Sequence, residues 1–144
     1  KIDASDFDGN AATQKTVTFK IDTVPPTLSI TAPADKLVTN KTAVTVTGTT
    51  NDATSSPVTV TVKLNSGTAE TVTVGSDGTF SKALTLVTGT NTITVVAKDS
   101  AGKTTTVTRT VTVDTTAPVI KSVTINPNPV DCGKTYVISV EVTD

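Results

Sequence analysis

Histidine, tryptophan and methionine are absent from this 144-residue chain, cysteine occurs once, and aromatic residues make up only 3% of it. Without histidine, the common nucleophile–base pairs and the histidine-bearing metal sites have no donor. With Cys132 alone, no intrachain disulfide and no two-cysteine zinc or redox motif can form. Cys132 reads as an unpaired thiol in a Pro- and Gly-rich turn. No apolar run approaches the roughly 18–20 residues of a membrane span. No signal-peptide pattern opens at Lys1, so the expectation is a mature segment or an internal piece. The formal charge of −1, from 12 basic and 13 acidic residues spread along the chain, leaves no electrostatic footprint for nucleic acid or an anionic membrane. Carboxylates could still do acid–base work, but they fall mostly at turns and junctions. A glycosidase needs two of them facing each other across a cleft, so no catalytic residues are expected.

What the chain has in abundance is threonine, about a quarter of its residues, alternating with valine over long runs. β-Branched side chains at period two fit a half-buried pleated surface, and their restricted χ1 rotation disfavours helix. Seven strands are predicted, at 27–31, 42–49, 57–64, 70–74, 79–86, 92–97 and 104–113, separated by turn chemistry such as Asn65-Ser66-Gly67 and Ser76-Asp77-Gly78. Alternation assigns to the core Leu28, Ile30, Val44, Val46, Val58, Val60, Val62, Leu64, Val72, Val74, Phe80, Leu84, Leu86, Ile93, Val95, Ala97, Val107, Val111 and Val113. Lys82 and Arg109 fall in phase with these and are expected at a sheet rim, where a long stem reaches water.

The chain also repeats. Residues 2–26 resemble 96–118, and the corresponding Asp22 and Asp114 stand 92 positions apart. That period is close to one two-sheet β-sandwich of roughly 100 residues. The expected division is 1–22, the last strands of one domain; 27–114, a complete domain; and 119–144, the first strands of a third. Asp22-Thr23-Val24-Pro25-Pro26 and Asp114-Thr115-Thr116-Ala117-Pro118 are then Pro-stiffened linkers.

Asp77-Gly78-Thr79-Phe80, Gly89-Thr90-Asn91-Thr92-Ile93-Thr94-Val95 and Ala97-Lys98-Asp99-Ser100-Ala101-Gly102, followed by Val113-Asp114-Thr115-Thr116-Ala117-Pro118, resemble the recurring pattern of bacterial immunoglobulin (Ig)-like domains. Lys103 departs from it, since such domains commonly carry Asn after that glycine. The resemblance implies an all-β, Ig-like antiparallel β-sandwich in tandem repeats, placed outside the cell, on a bacterial surface or secreted. It also implies a non-catalytic role as a spacer of a surface-layer, adhesin or stalk protein. The alternative is an accessory or carbohydrate- or receptor-binding module of a secreted polysaccharide-degrading enzyme. Implied partners are neighbouring Ig-like domains, with cell-wall polysaccharide, a host receptor or self-assembly beyond them.

Two acidic groupings are candidate Ca²⁺ sites. Asp6, Asp8 and Asn10 place oxygen ligands around a turn glycine, without the closing Glu of an EF-hand. The second grouping follows from the sandwich topology, which brings a linker to the end of the domain carrying the BC and FG loops, those between the second and third and between the sixth and seventh strands. Asp22 would there meet Asn51, Asp52 and Asp99, and Asp114 would face Asp144 at the next joint. Asn40-Lys41-Thr42 matches an N-glycosylation acceptor, though strand propensity explains the same threonine.

Overall fold

The computed structural model describes residues 7–13, 16–126 and 132–144. From residue 27 to 113 the chain forms eight strands: β1 (Thr27–Ala32), β2 (Leu37–Thr39), β3 (Ala43–Asn51), β4 (Thr59–Leu64), β5 (Glu70–Val72), β6 (Thr79–Thr85), β7 (Gly89–Lys98) and β8 (Thr104–Val113). They make two sheets, β1-β3-β6 and β2-β8-β7-β4-β5, antiparallel except for β2, which runs parallel to β8. The fold is an all-β, Ig-like sandwich. The short strand β2 is an addition to the seven expected. The chain leaves the first sheet at Ala32 and joins the second at Leu37.

The fourth predicted strand, whose sheet alternation leaves open, is β5, and it pairs with β4 at the edge of the five-stranded sheet. The reason is local: Asn65-Ser66-Gly67 closes a tight hairpin from Leu64, with Gly67 N–H donating to the Leu64 carbonyl. A connection this short leaves β5 beside β4 rather than across the core.

Every residue assigned to the core by alternation lies in one apolar cluster fed by both sheets, with Leu37 of β2 added to it. Val46, Val60, Ile93, Val95, Ala97 and Val111 have no exposed surface. Each larger aliphatic chain contributes about 1.5–3 kcal/mol by burial before the ordering entropy is counted. Phe80 supplies the one large ring, and β3 makes room for it. Gly48 is in register with Phe80 on one side and Ile30 on the other. A Cβ at Gly48 would stand 2.7 Å from Phe80 Cζ and 2.3 Å from the Ser29 carbonyl oxygen, so only glycine fits.

Two basic side chains span the sheet margins, and of these Arg109 keeps its Nε buried without a hydrogen-bond partner. Lys82 on β6 pairs with Glu70 on β5, a half-exposed contact worth little by itself. Arg109 on β8 donates from Nη2 to the Ile30 carbonyl on β1 at 3.2 Å. At the bottom of the sandwich Asn91 is completely buried. It accepts from Val87 N–H at 3.0 Å and donates to the carbonyls of Val87 and Gly89 at 2.7 and 3.0 Å, closing the corner before β7.

The flanks differ from this body. β9 (Val119–Asn126) and β10 (Val137–Thr143) form a separate antiparallel hairpin in which every described residue is exposed. Among the described residues, none before Thr27 lies in a strand, and Val17, Phe19 and Ile21 are about 80% exposed. Part of the expected hairpin there, and residues 127–131 ahead of Cys132, lie outside the described residues. Cys132 itself is exposed and free.

Two substitutions test the packing. Phe80→Ala should lower unfolding free energy by about 3–5 kcal/mol, because nothing adjacent can fill the void over Gly48. Asn91→Ala should cost about 2–3 kcal/mol by orphaning buried backbone groups at the corner. Urea melts followed by circular dichroism measure both, and a loss under about 1 kcal/mol for either would contradict the packing described.

Candidate functional site

The inward faces of β3 and β7 both run towards the same end of the sandwich. On β3 the buried phase passes through Val46, Gly48 and Thr50, and the next in-phase residue is Asp52. On β7 it passes through Asn91, Ile93, Val95 and Ala97, and the next is Asp99. Each aliphatic column therefore ends in a carboxylate that inherits the inward direction, and the two aspartates are 9% and 4% exposed.

Local hydrogen bonds fix both. Asp52 Oδ1 accepts from Thr54 N–H at 2.8 Å and Ser55 N–H at 3.0 Å, the turn that an Asp makes readily with the backbone ahead of it. Asp99 Oδ1 accepts from Lys103 N–H at 2.8 Å, across a tight loop whose Gly102 has φ of 89°. The two loops are tied together by Ser55 and Ser100, whose hydroxyl oxygens are 2.9 Å apart. In the linker ahead of β1, Asp22 Oδ1 accepts from Val24 N–H at 3.0 Å. Its other oxygen, Oδ2, lies 2.9 Å from Thr54 Oγ1.

Asp22, Asp52 and Asp99 are thereby brought together, with one carboxylate oxygen from each lying within 4.8 Å of the others. Among the described residues, no Lys or Arg forms an ion pair with any of them. Two like charges at that separation repel by about 3–4 kcal/mol at an effective dielectric of 20. The Oδ2 atoms of Asp52 and Asp99 are buried and have no hydrogen-bond partner. Thr54 Oγ1 stands within 2.9 Å of both Asp22 Oδ2 and Asp52 Oδ1, yet its single proton can serve only one of them. Such a set of hard oxygen donors, anionic and short of protons, can hold a hard cation.

Other sequence candidates are placed differently. Asn51 is the exposed last residue of β3, paired through its backbone with Thr27, and offers no carboxylate to the group. Asp6 lies outside the described residues, while Asp8 and Asn10 are exposed beside Gly9, whose φ is 84°. Asp8 belongs to no acidic group of three among the described residues. Asp114 repeats the linker geometry of Asp22, its Oδ1 accepting from Thr116 N–H at 2.9 Å. The signal that sequence reading left unused is the period-two phase itself, which carries Asp52 and Asp99 inward.

Next to the acidic group opens a groove of about 570 Å³, floored by Thr50 and Asn51 and walled by Pro57 and by residues 74–78. Gly78 turns at φ 80° so close to the Thr50 carbonyl that a Cβ would approach it to 2.3 Å. No aromatic ring lines this groove.

Hydrogen bonding holds several carboxyls below the usual Asp range. Thr54 N–H, then its hydroxyl, act on Asp52 against the opposing effect of burial. The Thr79 hydroxyl and N–H act on Asp77, Thr116 N–H on Asp114 and Thr110 N–H on Asp35. A carboxyl depressed in the folded state adds stability above its unfolded value near 3.8, and this is lost as pH falls through the folded value. The urea midpoint should therefore hold from about pH 7 to 5 and fall below about pH 4. A midpoint unchanged at about pH 2.5 would contradict these assignments.

The family model of glucodextranase domain B matches residues 26–115, a span that covers β1 to β8. Among solved structures, the fibronectin(III)-like modules of Clostridium thermocellum CbhA align with 75% of this chain and 57% of their own, at 22% identity and a TM-score of 0.48. A crystal structure of an engineered protein aligns over 62% of this chain and 20% of its own, at 23% identity and the same TM-score of 0.48. The chain thus spans about a fifth of one and somewhat over half of the other. Among curated proteins, none matches. The resemblance to bacterial Ig-like domains holds at the level of an Ig-like family, and within that class the chain belongs to the family of glucodextranase domain B.

Proposed function

We propose that residues 27–114 serve as a non-catalytic spacer module of a bacterial extracellular protein, holding neighbouring Ig-like domains at a set distance. The observation that carries this reading is the repeated joint. Asp22 and Asp114 each cap the N–H two residues on, at 3.0 and 2.9 Å, so one linker geometry leads into the sandwich and away from it. Short, Pro-containing connections of this kind stiffen a chain of domains into a semi-rigid rod. The exposed apolar side chains of β9 and β10, among them Ile120, Val123 and Val140, fit the opening hairpin of a further domain, since a lone two-stranded hairpin is marginal in water. Residues 1–22 would close a preceding one.

A second reading is consistent with the family. Glucodextranase is a carbohydrate-active enzyme by name, and this module would then accompany a catalytic domain acting on polysaccharide, in a secreted or surface-bound protein. Direct sugar binding has less support, because stacking platforms are built from aromatic rings and the groove near Asp52 is lined by none. Among the described residues, no helix is long and apolar enough to cross a membrane.

Small-angle scattering of the whole parent protein tests the spacer role. An elongated particle whose length grows by roughly 35–45 Å per sandwich is expected, from strands of ten residues at about 3.3 Å each plus a linker. In parallel, the 144-residue chain should migrate unretarded in gels containing α-glucan and release no reducing sugar from it. A compact particle, or retardation abolished by changes in the groove, would overturn the spacer reading.

A further inference from the structure

We propose that Asp22, Asp52 and Asp99 form a Ca²⁺ site that clamps the linker ahead of β1 onto the BC and FG loops. The inference does not depend on whether the flanking segments belong to further domains.

Three independent features converge on it. The first is distance: oxygens sharing one ion at 2.3–2.6 Å can stand no more than about 4.6–5.2 Å apart, and these three lie within 4.8 Å of one another. The second is burial without a partner. Asp52 and Asp99 are more than nine-tenths buried, and each keeps one oxygen, Oδ2, with no hydrogen bond. Burying an anionic oxygen unpaired is unfavourable, and a cation supplies the missing partner. The third is division of labour within each carboxylate. Oδ1 of Asp52 and of Asp99 is spent on backbone N–H groups that set the side chain's direction, which leaves the other oxygen for a ligand.

The donor chemistry selects the ion. Only oxygen atoms are offered, with no nitrogen or sulfur, which suits Ca²⁺ or Mg²⁺ rather than Zn²⁺ or Cu²⁺. The three carboxylates come from three separate chain segments, and Asp22 is partly exposed, so water can complete an irregular shell of six to eight ligands. Mg²⁺ demands a near-ideal octahedron and gives up its water reluctantly, so Ca²⁺ is the better occupant.

Binding would alter the linker most. Without the ion, Asp22 is held to the domain through Thr54, whose one proton is shared with a competing acceptor. With the ion, the linker carboxylate becomes a ligand alongside two loop residues, and the direction in which residues 16–21 leave the sandwich is fixed. Asp114, capped in the same way as Asp22, would serve as the linker ligand for the domain that follows.

Calorimetric titration of CaCl₂ into the chelator-treated 144-residue chain tests the site. One site is expected, with a dissociation constant on the order of 10⁻⁴ M, typical of extracellular modules, and at least about tenfold weaker binding of Mg²⁺. Asp22→Asn and Asp99→Asn keep an oxygen for the same backbone N–H groups, so both should melt no lower than the parent in chelator. Each should nevertheless bind Ca²⁺ at least about tenfold more weakly, whereas Asp77→Asn, outside the group, should bind as the parent does. A structural readout accompanies these: cleavage after exposed Lys20 by a lysine-specific protease should slow at least about threefold in Ca²⁺, and not in Asp22→Asn. Absence of heat and of any melting shift at about 10 mM Ca²⁺ would overturn the proposal, as would Asp22→Asn binding like the parent or Mg²⁺ binding equally well.

Discussion

Burial of two aliphatic sheet faces against each other is the interaction on which everything else here rests. The chain has no disulfide and almost no aromatic mass, so Val and Ile at alternate positions must supply nearly all of the driving force. That economy explains the weight carried by a few special residues. Gly48 yields its side chain so that Phe80 can fill the middle of the core, and Asn91 satisfies a buried corner that an aliphatic residue would leave unpaired.

The same packing positions the acidic end. Because strand phase is rigid, the columns that bury Val46 and Val95 also direct Asp52 and Asp99 inward once the strands run out. An Asx turn at Asp52, and at Asp99 the N–H of Lys103 four residues on, then hold each carboxylate in place through one oxygen. The linker arrives at this end because β1 begins at Thr27 opposite Asn51, five residues after Asp22. Three negative groups are thus gathered by the fold rather than by any short motif.

The inner faces were legible in the sequence because period two is a direct record of burial, and all seven expected strands appear near their predicted positions. What alternation does not encode is which sheet a strand joins. β5 follows β4 because of the short connection that turns at Asn65-Ser66-Gly67, and β2 arises from a crossing between the sheets in a segment, 33–39, with no alternation to read. Three members of the acidic group were legible through topology, since linker, BC loop and FG loop meet at one end of such a sandwich. Asn51, adjacent to Asp52, is exposed and stands on the opposite face, since neighbouring strand residues alternate.

Residues 27–114 are expected to act as the cooperative unit, with the flanks outside it. Amide hydrogen exchange on the whole 144-residue chain tests this most directly. Amides at the centres of β3, β4, β6, β7 and β8 should exchange only through global opening and share one free energy, while those of β9, β10 and residues 16–21 exchange at least about a hundredfold faster. Protection of β9 and β10 equal to that of β7 would show that the hairpin is part of the same folded body, and would contradict the account.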